Sequence, residues 1–177
     1  MLALRDILVP VDFEPASYQA LAHARDLARA FGARLHVLHI LEDAFALPAG
    51  TEGSLSRFPR LKREVEDETH DRLNDLLTDE DRQSGANAVA LIAASPAVAI
   101  VGYATEIRAD LIVMGTHGRT GKPLGVIGSV AEQVVRTAQC PVLTFRQVHS
   151  EGRVSSEPAL ETRRPATGTR SRCRPAR

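Results

Sequence analysis

Cysteine is scarce in this chain. Cys140 and Cys173 are the only two in 177 residues, too few for a disulfide framework and suited to a reducing compartment. Neither sign of charge is in excess, because 22 Lys and Arg balance 22 Asp and Glu. The balance is uneven along the chain. Residues 1–146 carry 15 basic and 19 acidic groups, whereas residues 147–177 carry seven Arg against three Glu. The acidic body argues against nucleic-acid binding by bulk charge. No secretory leader is expected, since Arg5 and Asp6 fall where its apolar stretch would stand. A cytoplasmic protein is expected. One segment, Gly85 to Thr105, has no charge at all. Ser95-Pro96 interrupts it, so a buried strand followed by a buried helix explains it better than a membrane span.

Two common phosphate-binding signatures are absent as well. A P-loop requires G-x-x-x-x-G-K-[ST]. The nearest match has Thr116 in place of the first Gly, and Pro123 follows Lys122 where Ser or Thr belongs. A dinucleotide-binding loop requires G-x-G-x-x-G after the first strand. Here that strand runs into Pro10-Val11-Asp12-Phe13-Glu14, without glycine.

What is present is a different glycine pattern. The apolar run Leu111-Ile112-Val113-Met114 reads as a buried strand. It enters Gly115-Thr116-His117-Gly118-Arg119, and after nine residues beyond Gly118, 119–127, come Gly128, Ser129 and Val130 at the start of a helical pattern. Strand, glycine-rich loop and helix N-terminus together suit an anion. Glycine admits close backbone approach, and the free N–H groups of a helix start point at negative charge. A nucleotide phosphate is the expected ligand. Arg119 and Lys122 could reach phosphates, but both are equally explained as solvated loop residues. His117 reads as a surface or hydrogen-bonding residue, not a catalyst. Ser129-Val130-Ala131-Glu132 also has the form of a capping box, with the Ser129 hydroxyl serving the Glu132 N–H.

Hydrophobic periodicity alternates strand and helix. Strands are expected near Asp6–Val11, Arg34–Leu41, Ala88–Ala94, Leu111–Met114 and Val142–Phe145. The first helix begins at Pro15, carries Leu21, Ala24, Leu27, Ala28 and Phe31 on one face, and stops at Gly32. Others are expected over Arg60–Leu77, from Pro96 to near Arg108, and over Ser129–Thr137. Pro48 and Pro59 punctuate the loop before the second of these. Such alternation gives right-handed crossovers and a parallel sheet covered on both faces, a doubly wound α/β fold of five strands. A chain of this size suits one domain that buries about two-thirds of its unfolded surface. From Gln147 onward large apolar residues nearly vanish, so residues 147–177 read as a disordered, arginine-rich tail.

The spacing G-x-x-G-x9-G-S resembles the ATP-binding signature of the universal stress protein family. Ile7-Leu8-Val9-Pro10-Val11-Asp12-Phe13 is similar to the family's first strand and its Asp. His39-Ile40 resembles the His-Val that commonly ends the second strand. Gly128 through Leu143 looks like the last helix and strand. The resemblance spans roughly residues 3–146. It differs at Ser95-Pro96, where many members have Gly-Asp-Pro, and in the filling Lys122-Pro123-Leu124-Gly125-Val126 of the nine-residue gap.

The resemblance implies strand order 3-2-1-4-5, ATP as ligand, a stress-response role and a homodimer. It implies that Asp12 contacts the adenosine part and that Ser129 faces phosphate. Pro10, Val11 and Ile40 would contact the base, and Met114, Gly115, Thr116, His117, Gly118, Arg119, Gly128, Ser129 and Val130 complete the expected nucleotide-binding residues. The body of the domain is expected to dimerise through the apolar edge strand Val142–Phe145. Mg²⁺ would accompany ATP, because His36 and His39 lack a third ligand at metal-binding spacing. Two alternatives stay open. An adenylyl transferase-like enzyme would need a histidine motif where Asp12-Phe13-Glu14-Pro15 stands. A nucleotide-free interaction scaffold would have no use for the glycines. No base and nucleophile pair is evident, so a regulatory protein with at most slow ATP hydrolysis is expected.

Overall fold

Three consecutive residues, Ile7, Leu8 and Val9, are fully buried. A strand can bury neighbours that point to opposite faces only when both faces of its sheet are covered. A computed structural model, describing residues 4–42, 59–116 and 127–146, has that architecture. Its elements are β1 (Asp6–Pro10), α1 (Pro15–Phe31), β2 (Arg34–Glu42), α2 (Pro59–Leu76), α3 (Asp79–Gln83), β3 (Asn87–Ala93), α4 (Pro96–Glu106), β4 (Leu111–Gly115), α5 (Ser129–Thr137) and β5 (Val142–Phe145). The five strands pair in parallel in the order β3-β2-β1-β4-β5.

Side-chain alternation sorts the core into two layers. Ile7, Val9, Leu35, Val37 and Val113 meet α1 and the Leu73 side of α2. Leu8, Leu38, Ile40, Ile112 and Met114 meet α4 and α5. Each large side chain fully buried this way contributes about 1.5–3 kcal/mol. α1 leaves β1 toward one layer and α5 leaves β4 toward the other. Their strands are neighbours, so a crevice opens between them at the C-terminal ends.

Several elements differ from the sequence expectation. Phe31 does not complete the apolar stripe of α1 and is 51% exposed. The last turn of α1 passes the lower end of the sheet, where Arg34 N–H donates to Arg5 O. α4 ends at Glu106, and Arg108 takes the left-handed conformation (φ 52°) that glycine usually supplies after a helix. Ala109 N–H then donates to Ala104 O at 2.8 Å, closing the helix end. The short helix α3 has no periodicity to announce it. It is held by a capping box of Thr78 and Asp81, with Arg25 of α1 bonded to Asp81 at 2.8 Å. Gly115 is the last residue of β4 and not a loop residue. The proposed tail, residues 147–177, lies outside the described residues.

Candidate functional site

A cavity of about 360 Å³ occupies the crevice at the C-terminal ends of β1, β2 and β4. Ten residues singled out from the sequence line it: Pro10, Val11, Asp12, Ile40, Met114, Gly115, Thr116, Gly128, Ser129 and Val130. His117, Gly118 and Arg119 lie outside the described residues. Sequence reasoning missed Ser17, Leu38, His39, Glu42, Pro96, Ile100 and Ala131, which also line it. Strand register could have found two of these, Leu38 and Glu42. Leu38 is level with Pro10, and alternation then puts Leu38, Ile40 and Glu42 on one face of β2.

The two ends of the glycine-rich segment meet at the cavity rim. Gly128 N–H donates to Thr116 O at 2.7 Å, and Thr116 N–H donates to Phe145 O at 2.8 Å. Beyond Gly128 the chain enters α5. Gly128 occupies the capping position with φ −63° and ψ 149°, and no side chain caps the helix. The capping box expected at Ser129 does not form. Ser129 is already the first helical residue, and Glu132 N–H takes the Gly128 carbonyl at 2.9 Å instead. Glu132 turns away to pair with Arg136 at 2.8 Å. The first N–H groups of a helix have no carbonyl four residues back. This helix start therefore presents donors and a positive dipole end at the cavity.

At the end of β1, Asp12 is fixed by a local network. Its Oδ1 accepts from Glu14 N–H at 3.1 Å, the side-chain turn favoured by aspartate. Its own N–H donates to Ser17 Oγ at 3.4 Å, and the Ser17 hydroxyl donates to Glu14 O at 2.9 Å. Asp12 is partly buried and has no ion pair among the described residues. The next residue, Phe13, has φ 64°, a conformation that costs a non-glycine residue about 1–2 kcal/mol. Its ring lies 4.5 Å from the His39 ring, and the Arg72 guanidinium carbon stands 3.9 Å from its centroid. A cation over an aromatic ring at an exposed site offsets about 0.5–1 kcal/mol of that strain.

The cavity is thus polarised. The α5 N-terminus, following β4, favours anionic groups. The carboxylates of Asp12 and Glu42, at the ends of β1 and β2, favour hydrogen-bond donors and repel anions. Apolar Val11, Ile40, Ile100 and Met114 lie among them. The histidines of β2 are structural in their contacts. His39 Nδ1 bonds Val11 O at 2.7 Å. His36 sits at the opposite end of the sheet, with Nε2 2.9 Å from Asp6 Oδ1. Among the described residues no group of three His, Cys, Asp or Glu could hold a metal. No helix among them is long and apolar enough to cross a membrane.

The geometry invites comparison with known proteins. The family model described as "Universal stress protein family" matches residues 3–146. A universal stress protein of Thermus aquaticus is 35% identical over 146 residues, covering 80% of this chain and 98% of that relative. One from Methanocaldococcus jannaschii is 30% identical over 148 residues, covering 83% and 85%. Among solved structures, protein MJ0577 of Methanocaldococcus jannaschii shares the fold with a TM-score of 0.70 at 24% identity, over 84% of this chain and 99% of its own. The universal stress protein UspA of Lactobacillus plantarum matches with a TM-score of 0.63 at 27% identity, over 81% and 98%. With the family model spanning its whole described sheet, this chain belongs to the universal stress protein family.

Proposed function

We propose that the chain is an ATP-binding regulatory protein with little or no hydrolytic turnover. The observation that carries this reading is the polarity of the cavity. An uncapped helix start beside Ser129 suits the phosphates, and Asp12 suits the hydroxyl donors of a ribose. The apolar walls between them suit a base. The reverse orientation would set phosphate oxygens against two carboxylates. Structures sharing this fold add support: one is a universal stress protein in complex with cAMP, and another, from Archaeoglobus fulgidus, is in complex with dAMP. Slow turnover fits the site because Asp12 has one oxygen engaged by Glu14 N–H and belongs to the nucleoside end.

The same reading includes a homodimer and a stress-response role. β5 is an edge strand, and Leu143 on it is 39% exposed. A short apolar edge with unpaired backbone groups is a template for a second strand. Magnesium would enter with ATP, bound mainly through its phosphates.

The test is retention. The protein is incubated with equal amounts of ATP, GTP, CTP and UTP, desalted and denatured, and the released nucleotide is separated. ATP should dominate the released fraction. Equal retention of all four, or none, would contradict the reading.

A further inference from the structure

We propose that Arg72, on the outer surface of α2 and away from the cavity, is a positioning residue for Asp12, acting through the ring of Phe13. The inference rests on reading Asp12 as the nucleoside-end contact. It begins from a constraint in the sequence. Glu14 precedes Pro15, and a residue before proline is held extended; Glu14 has φ −99° and ψ 159°. The chain must still reverse between β1 and α1, so the reversal falls on Phe13, with φ 64°. That reversal carries Glu14 N–H to within 3.1 Å of Asp12 Oδ1. The orientation of the carboxylate and the conformation of Phe13 are therefore one event.

Phenylalanine has no polar side-chain atom with which to support a left-handed backbone, as Asn or Asp can. Support must come from contacts made by the ring. The ring packs against the apolar core, and two further partners bear on it directly. Arg72 places its guanidinium carbon 3.9 Å from the ring centroid. His39, a cavity-lining residue, places its own ring 4.5 Å away. His39 is in turn tied by Nδ1 to Val11 O, one residue before Asp12. Arg72 has acidic neighbours one turn away on α2, Glu68 and Asp75, yet it forms an ion pair with neither. Its cation is committed to the ring. α2 is thereby coupled to the cavity at Asp12, although none of its residues lines the cavity.

A purely structural Arg72 would stabilise α2 without touching ligand discrimination, so the test reads both. Arg72→Gln keeps the stem and removes the cation; Arg72→Lys restores a cation; Phe13→Leu removes the aromatic face. Exchange of the Glu14 backbone N–H is followed by NMR without ligand. Affinities for ATP and for 2′,3′-dideoxy-ATP are measured in the same proteins. Arg72→Gln and Phe13→Leu should speed Glu14 exchange about fivefold, the size of one cation–π contact. Both should also reduce the preference for ATP over the dideoxy analogue toward that of Asp12→Asn, and Arg72→Lys should recover both. Unchanged exchange and an unchanged preference in Arg72→Gln would overturn the proposal. If the wild type binds neither nucleotide while Glu14 exchange still responds, the positioning role stands and the ligand reading falls.

Discussion

Gly115 rests directly on Ala16. A Cβ built on Gly115 would stand 2.9 Å from the Ala16 Cβ and 3.0 Å from its carbonyl carbon. The last residue of β4 is therefore locked against the first turn of α1, and these two elements flank the cavity. Gly115→Ala should lower stability by about 1–3 kcal/mol, the range for overpacking a tight contact. Ala16→Gly should rescue it only in part, since the clash with the Ala16 backbone persists. Denaturant unfolding of the three variants checks this. An unaffected Gly115→Ala would mean that the contact is slack.

Acid should act through Asp81. Burial raises its carboxyl, but the Thr78 N–H and hydroxyl and the Arg25 guanidinium outweigh that, leaving its pKa below the ordinary 3.8. A depressed folded-state pKa gives stability that is present above the unfolded value and lost as pH falls through the folded one. Asp81→Asn should cost about 2 kcal/mol at neutral pH, in keeping with a charged hydrogen bond. The gap between wild type and variant should close as pH drops below 3.8. Unfolding curves across that range measure it, and a constant gap would assign the stabilisation to something other than the charge.

The self-association surface is open to a direct test. Leu143→Lys puts a charge on the β5 edge and should weaken a dimer. A chain ending at Arg146 should keep both the dimer and nucleotide binding. Sedimentation of the wild type and both variants decides it. A monomeric wild type would remove the interface, and a truncated chain that dissociates would move the domain boundary.

Hydrolysis should be slow. A single-turnover experiment with ATP should give a rate far under the typical enzyme value of about 10 per second. A rate at that value would make the protein an enzyme.

Much of the fold was legible because periodicity reports burial. The doubly covered sheet follows from runs such as Ile7-Leu8-Val9, and Gly32 and Pro15 mark the limits of α1. Features with no periodic signal were not legible. α3 is a single capped turn, and the end of α4 relies on Arg108 where no glycine stands. The cavity lining was legible where the motif names the end of β4 and the start of α5. It was not where tertiary placement decides. The spacing of Ser129 and Glu132 fits a capping box, yet helix α5 begins one residue too early for one. Gly115 reads from sequence as space for a ligand, yet its missing side chain makes room for Ala16. The contact of Arg72 with Phe13 joins residues 59 positions apart, beyond any local pattern.

The central claim is that ATP binds in the crevice with its phosphates at the start of α5. Calorimetric titration of ATP into the wild type and into a Gly118→Val, Ser129→Ala double variant tests it most directly. The wild type should give saturable heat with one site per chain. It should also gain about 2.7 kcal/mol of stability at 100-fold the dissociation constant, and the double variant should show neither. A wild type that gives no heat, or a double variant that binds as tightly as the wild type, would contradict it.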